Sequence, residues 1–399
     1  MLLGLEATLL RDMLEVATIP FPVLPEVLIC EILLRLPVRS LLQCKCVCKS
    51  WKILISDSEF IKNHFRISTS DPTMTNQQLV FSFRKQPGKI VSYALKPLLE
   101  NTATSIKLGT YLFREETYSN IIGSCNGLLC LLDNFSRCYV RLCNPSLGLI
   151  SNRSSIPVSE DWYIVHYGFG YDQVNDKYKV LLVVQIKGHI FTKIHTFGYD
   201  DGWKTISNFP CDLDTHYGKF VSGTMNWLVS NKNTFLSLHV ENETYIELLL
   251  PQNNVNKKMY SYRALSVLNN CLCVSESDNF HWVLWVMKEY GIVESWTKFI
   301  IIPHDNLIHN VPYSVEPLFI SQDGVLMVLI DSELILYNSN SGVALITFKG
   351  LGIRPHLHCE SLISLPCLFR INIYRNAAFQ LFSTTSWKQL WDLLFILFK

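Results

Sequence analysis

Apolar and polar residues alternate along this chain in two different ways. Between Leu24 and Phe65 the apolar positions recur at steps of three and four. Leu28, Ile29, Ile32, Leu33 and Leu36 form one stripe, Leu41, Leu42, Cys44, Val47 and Cys48 a second, and Trp51, Leu54, Ile55, Phe60 and Ile61 a third. That spacing predicts three short helices. Pro25 suits the first turn of the first helix, where its missing N–H costs nothing, and Pro37 ends it. So small a unit buries too little surface to stand alone comfortably, so its apolar excess implies a partner or a neighbouring domain.

From about Leu79 the pattern changes to short runs rich in Val, Ile, Leu, Tyr and Phe, separated by Asn, Gly, Asp and Ser, which predicts strands and tight turns. Turn-like residues that precede a strand-like run recur at Asn126-Gly127, Asn175-Asp176, Asn226, Asn269-Asn270 and Asp323-Gly324, roughly 50 residues apart. A second series, out of step with the first, places Leu147-Gly148, Trp203, Tyr245, Trp296 and Val343 beside polar turns. Two interleaved series at that period predict a kelch-like propeller of about five to six blades with four short strands each.

Composition narrows the functional classes. The 399 residues carry 35 Lys+Arg against 34 Asp+Glu, a formal charge of +1, which argues against a polyphosphate-binding surface built on bulk charge. With 49% hydrophobic, 12% aromatic and 17% charged residues, the chain can bury large cores and is not a disordered polymer. Its 13 cysteines, an odd number without paired spacing, suit a reducing compartment, cytoplasmic or nuclear. The apolar stretch from Met1 to Pro22 carries Glu6, Asp12 and Glu15 and no basic leader, unlike a signal peptide. The apolar run Leu393 to Phe398 falls far short of the ~20 residues that cross a bilayer, so no membrane partner is expected.

The helical opening contains Leu24-Pro25-Glu26, Glu31-Ile32-Leu33-Leu34-Arg35-Leu36-Pro37-Val38, Ser40-Leu41-Leu42 and Cys46-Val47-Cys48-Lys49-Ser50-Trp51, and there it resembles a plant F-box. That resemblance implies docking on an SKP-type adaptor and, through it, on the cullin of an SCF ubiquitin ligase. Leu24, Pro25, Ile32, Leu36, Pro37, Leu41 and Leu42 match the motif's adaptor-facing positions, and Val47, Cys48 and Trp51 match its inner packing. Val27 stands where the family usually has an acidic residue, and Cys44 where a large apolar residue is common.

The β region is similar to the plant F-box-associated domain. The likeness rests on Gly123-Ser124-Cys125-Asn126-Gly127-Leu128-Leu129-Cys130, Cys143-Asn144-Pro145-Ser146, Gly168-Phe169-Gly170-Tyr171-Asp172, Asp176-Lys177-Tyr178-Lys179-Val180, Gly223-Thr224-Met225-Asn226-Trp227-Leu228, Lys288-Glu289-Tyr290-Gly291, Glu294-Ser295-Trp296 and Glu360-Ser361-Leu362. Together the two resemblances imply an α+β multidomain chain. Its parts are an extension over 1–19, a small all-α F-box of three helices over 20–67, a linker over 68–78, an all-β kelch-like propeller over 79–366 and a tail over 367–399. They imply a non-catalytic substrate adaptor, whose β domain selects an unknown target protein for ubiquitination and degradation. A non-degradative scaffold and a propeller enzyme are the alternatives.

Candidate chemistry is sparse. Gly123-Ser124-Cys125-Asn126-Gly127 has the spelling of a nucleophile elbow, but a strand-like run follows where an elbow requires a helix. Cys44, Cys46 and Cys48 lie at spacings that point Cys46 away from the other two, and His356-x-His358-Cys359 lacks a second ligand pair, so no metal or other cofactor is expected. Gly168-x-Gly170 lacks the third glycine of a dinucleotide fingerprint. Lys45, Lys49, Lys52, Lys62 and Arg66 read as a solvated helix face, not a nucleic-acid site, because no stripe of exposed aromatics accompanies them. Target-binding candidates are the aromatic loops holding Trp162 and Tyr163, His216 and Tyr217, and Phe280, His281 and Trp282.

Overall fold

A computed structural model describes residues 25–70, 76–83, 86–99, 110–114, 119–133, 138–157, 162–198, 202–251, 263–277, 280–303, 315–330, 333–338, 342–346, 355–365 and 368–369. Four helices come first among the described residues: α1 (Glu26–Leu34), α2 (Val38–Cys44), α3 (Lys49–Ser56) and α4 (Ser58–Ser70). The third apolar stripe thus spans two helices. Asp57 adopts an extended conformation after α3, and its carboxylate accepts the backbone N–H groups of Glu59 (2.9 Å) and Phe60 (3.0 Å), capping α4. His64 ties α4 back to the bend between α1 and α2 through Nε2 and the Leu36 carbonyl, 2.8 Å apart. The interior of this unit is Leu33, Leu34, Val38, Leu41, Cys44, Ile55 and Phe60.

The remaining chain forms six sheets arranged as blades. Strands β1 (Gln77–Phe83), β2 (Gln86–Ala94) and β3 (Thr110–Arg114), with the short α5 (Leu95–Leu99), belong to blade 1. Blade 2 holds β4 (Ser119–Cys125), β5 (Leu128–Asp133), β6 (Tyr139–Asn144), β7 (Leu149–Ser151) and β8 (Ser154–Ser155). Blade 3 holds β9 (Trp162–Asp172), β10 (Lys177–Ile186), β11 (His189–Thr196) and β12 (Trp203–Ile206). Blade 4 holds β13 (Lys219–Val221), β14 (Thr224–Leu228), β15 (Thr234–His239) and β16 (Tyr245–Leu249). Blade 5 holds β17 (Arg263–Leu268), β18 (Cys271–Ser277), β19 (His281–Met287) and β20 (Trp296–Pro303). Blade 6 holds β21 (Val315–Ile320), β22 (Val325–Ile330), β23 (Glu333–Asn338) and β24 (Gly342–Ile346). The chain then returns: β25 (His356–Cys359) pairs with β1 as the innermost strand of blade 1, and β26 (Leu368–Phe369) pairs with β7.

The innermost strands touch in a ring, β4 to β9 to β13 to β17 to β21 to β25 and back to β4, so both ends of the domain close blade 1 together. The two sequence series are now explained. Four members of the first series, all but Asn226, sit at the first hairpin of a blade, and the second marks the start of each outermost strand. Asn226 is the exception. It lies inside β14 with no exposure, while the turn falls at Ser222-Gly223.

Apolar side chains fill the wedges between blades. Leu128, Cys130, Val140, Leu142, Val180 and Leu182 lie between blades 2 and 3, and Leu181, Val183, Met225, Trp227 and Leu238 between blades 3 and 4. The blades approach so closely that glycine is required at two positions. A Cβ on Gly168 would come within 2.7 Å of the Met225 sulfur, and one on Gly170 within 2.4 Å of the Phe220 ring.

Candidate functional site

The helical unit exposes several large apolar side chains among its charged ones. Leu33 and Leu34 turn inward from α1, whereas Val27 (73% exposed) and Leu28 (48%) face outward with the half-buried Ile32, and Ile53 on α3 is 73% exposed. Exposed apolar surface in one small unit marks a docking face. Pro25 is exposed, and Leu36, Pro37 and Leu42 are half-buried at its edge. Leu24 lies outside the described residues. Leu41 corrects the expectation of a partner-facing role: it is fully buried in the helical core. Val47 and Cys48 correct the opposite expectation. Val47 is 53% exposed, and exposed Cys48 caps α3, its sulfur 3.5 Å from the Trp51 N–H. Trp51 does pack on the core, half-buried. Leu28 is legible only as a member of an apolar stripe, whose inward and outward positions sequence does not separate, and Ile53 lies outside the three stripes.

The helical unit rests on one end of the propeller. In each blade the sheet runs outward as an antiparallel meander, which puts the first and third hairpins at one end and the second hairpin, with the start of the innermost strand, at the other. Three features at the first end meet the helices: Leu147 and Leu362 join the helical core, Lys62 bridges to Asp176 at 3.2 Å, and Ser68 accepts from the Asn76 amide at 3.0 Å. Asn144 organises this junction. Its amide donates to the Ser361 carbonyl (3.1 Å) and the Ile363 carbonyl (2.8 Å), while the Ser361 hydroxyl donates to the Gly127 carbonyl (3.2 Å). Gly127 has φ +72°, and an added Cβ would lie 2.3 Å from Ser361. Turn, Asn-Pro-Ser and Glu-Ser-Leu motifs therefore converge on the returning segment that closes the ring.

The other end carries the aromatic candidates. Trp162 and Tyr163 begin β9, Tyr217 precedes β13, and Trp282 begins β19. By the meander rule all four belong to the end away from the helices, but they differ in availability. Tyr163 is 57% exposed. Trp162 is half-buried against the wedge between blades 2 and 3. Tyr217 is half-buried, its hydroxyl donating to Glu316 at 3.1 Å and its ring lying 4.8 Å from the Lys219 ammonium. Trp282 is 1% exposed within the core between blades 5 and 6, which removes it as a target contact. Phe280 beside it is 71% exposed.

Cys125 is buried, its thiol pushed far above the ordinary value by burial, and strand β5 follows its turn. No group of three His, Cys, Asp or Glu residues converges among the described residues. Lys179, Asp172 and Glu243 do cluster, with the Lys179 ammonium 3.2 Å from Asp172 and 3.3 Å from Glu243, but they join blade 3 to blade 4 as an interior ion pair.

Family models now add to the geometry. The F-box domain matches residues 21–63, and the F-box associated beta propeller domain matches residues 79–349. The chain belongs to the plant F-box proteins with an F-box-associated propeller. An F-box/kelch-repeat protein of Arabidopsis thaliana is 32% identical over 337 residues, covering 78% of this chain and 86% of that protein. The F-box protein CPR1 of the same plant is 25% identical over 360 residues, covering 82% and 83%. An F-box coupled to such a propeller supports a substrate-recognition adaptor.

In this F-box protein two titratable groups shifted by burial sit at the ring closure. His358 on β25 is 4% exposed, and neither ring nitrogen has a hydrogen-bond partner among the described residues; burial lowers its pKa to about 4. Burial raises the nearby Glu360 carboxyl to about 7, against the pull of its Gln78 hydrogen bond and the charge of Arg39. As pH falls from 6.5 to about 4 the unfolded chain binds a proton at His358 that the folded chain refuses, so stability is lost in that window. Glu360 acts oppositely: as pH rises from 4.5 to about 7 the unfolded chain releases a proton that the folded chain keeps, and stability again falls. Between pH 4.5 and 6.5 the two contributions oppose each other, so His358→Leu should tilt the acid limb of a plot of unfolding free energy against pH upward toward low pH, by at most about 1.4 kcal/mol per pH unit. An unchanged acid limb would contradict this assignment.

Proposed function

We infer that this protein is the target-recognition subunit of an SCF-type ubiquitin ligase. The exposed face of α1 and α3 docks on an SKP-type adaptor and through it on cullin, and the opposite end of the propeller holds a target protein for ubiquitination and degradation. The observation that carries the reading is the bipolar layout. An apolar docking face lies on the helices, the helices are seated on one end of the propeller, and exposed Tyr163 and Phe280 lie at the other. The chain's own contribution is effective concentration: it holds a target lysine near the charged ubiquitin carrier and makes or breaks no bond itself. Such a complex works in the cytoplasm or nucleus, where the twelve described cysteines, all free, stay reduced.

The test compares proteins captured in cells by the wild type and by a Leu28→Asp, Ile32→Asp variant. Degradative recognition predicts that captured proteins accumulate on the variant and that proteasome inhibition raises their level on the wild type. Equal abundance in all arms would favour the non-degradative scaffold.

A further inference from the structure

Blade 3 stands above its neighbours. Its strands β9, β10 and β11 run 11, 10 and 8 residues, against 3 to 7 for the first three strands of blades 4, 5 and 6. The excess lies at the end away from the F-box, where the β10–β11 hairpin turns at Lys187-Gly188. Register places Tyr163, Gln185 and Ile190 side by side on one face of this fin. Tyr163 is 57% exposed and Ile190 43%, and the Tyr163 hydroxyl donates to Gln185, which holds the ring flat along the sheet. This face turns toward blade 4, because Val165 and Val183 below it pack in the wedge with Trp227.

A connecting segment forms the floor. Residues 207–218 run from blade 3 to blade 4 and are pinned along their length: the Asn208 amide donates to the Ile190 carbonyl (2.8 Å), and the backbone N–H groups of Ser230 and Asp214 reach Asp212 and Leu228 carbonyls (2.9 Å each). The His166 and His216 rings lie 6.0 Å apart, each with Nδ1 on a backbone carbonyl of the other's strand or segment. From this fixed floor Asp212 and Asp214 project into solvent, and neither has an ion-pair partner among the described residues. Lys232, on the adjoining hairpin of blade 4, is already occupied by Glu247 at 3.1 Å. The fin supplies an aromatic and aliphatic wall and the segment beneath it carries two carboxylates with no ion-pair partner among the described residues; the space between them is the candidate groove.

The geometry points to this groove as the target-docking site, and to its ligand as an extended peptide segment that sets an aromatic or aliphatic side chain beside a lysine or arginine. The apolar side chain lies against Tyr163 and Ile190, and the cation pairs with Asp212 and Asp214. A purely apolar segment would leave the carboxylates unpaired, and an acidic one would meet repulsion. The proposal rests on the reading that the propeller end opposite the F-box holds the target.

The test pans random linear peptides displayed on phage against the purified full chain bound to its SKP-type adaptor, then measures selected peptides by fluorescence polarisation. Selected sequences should pair a basic with an apolar residue. Their affinity should weaken with added salt and fall about tenfold or more in Asp212→Asn, Asp214→Asn and, separately, in Tyr163→Ser. All three positions are exposed, so the variants should keep the wild-type Tm and adaptor binding. Peptides without a basic residue, no selected peptides at all, or affinity untouched by these substitutions would overturn the groove. If affinity instead falls with Phe280→Asp, the propeller still recognises the target but at another place, which separates failure of this groove from failure of the adaptor reading.

Discussion

Replacing Trp227 with alanine is expected to destabilise the propeller by about 3–5 kcal/mol, with a fall in Tm on the order of 10 °C. Trp227 has no exposure, and its indole fills the wedge between blades 3 and 4 with Leu181, Val183, Met225 and Leu238. It also fixes the local backbone. A Cβ added at Gly168 would lie 2.9 Å from the ring, and one at Gly218 2.5 Å, so both glycines exist in part to let the indole in. Truncation leaves a void that these two rigid backbone segments cannot collapse into, which places the cost at the high end for an aromatic deletion. Phe209, whose ring is 5.1 Å from Trp227, loses its support as well, so the floor of the target groove should loosen. Urea unfolding followed by circular dichroism measures the loss directly; a change under about 1 kcal/mol would contradict this account of the wedge.

How far the sequence revealed this architecture depends on how local each signal is. Five blades could be read because Asn126-Gly127, Asn175-Asp176, Asn269-Asn270 and Asp323-Gly324 open hairpins, and Trp203, Tyr245 and Trp296 open outer strands, each within one blade. Blade 1 has no such local pattern, since β25 pairs with β1 across most of the chain. Asn226 was read as a turn because asparagine favours turns, yet its amide is consumed inside the sheet by Lys219 and Thr224, and its Oδ1 accepts from Tyr290 of blade 5 at 2.6 Å. The family motifs proved to be interblade and closure contacts, with Asn144, Ser361 and Gly127 the clearest case. Helical periodicity located the docking unit but could not sort Leu41, which is buried, from Val47, which is exposed, and it left exposed Ile53 outside its stripes. Trp282 reads as a loop aromatic beside Phe280 and His281, yet β19 is buried on both faces from Trp282 to Trp285, which takes the indole into the core.

The central claim is that the exposed face of α1 and α3 is an adaptor-docking surface. Leu28 and Ile32 lie on its α1 part, outside the helical core formed by Leu33, Leu41 and Ile55. Aspartate at both positions should leave folding intact, because Leu28 is 48% exposed and half-buried Ile32 lies outside the helical core, while placing two charges in what becomes a desolvated apolar contact. Central apolar anchors of an interface carry about 2 kcal/mol or more each, so the double variant should lose binding by at least a hundredfold. Calorimetric titration of the purified chain with a purified SKP-type adaptor decides the matter. The account predicts tight one-to-one binding by the wild type and its loss in Leu28→Asp, Ile32→Asp at unchanged Tm; a wild type that does not bind, or a double variant that binds equally well, would contradict it.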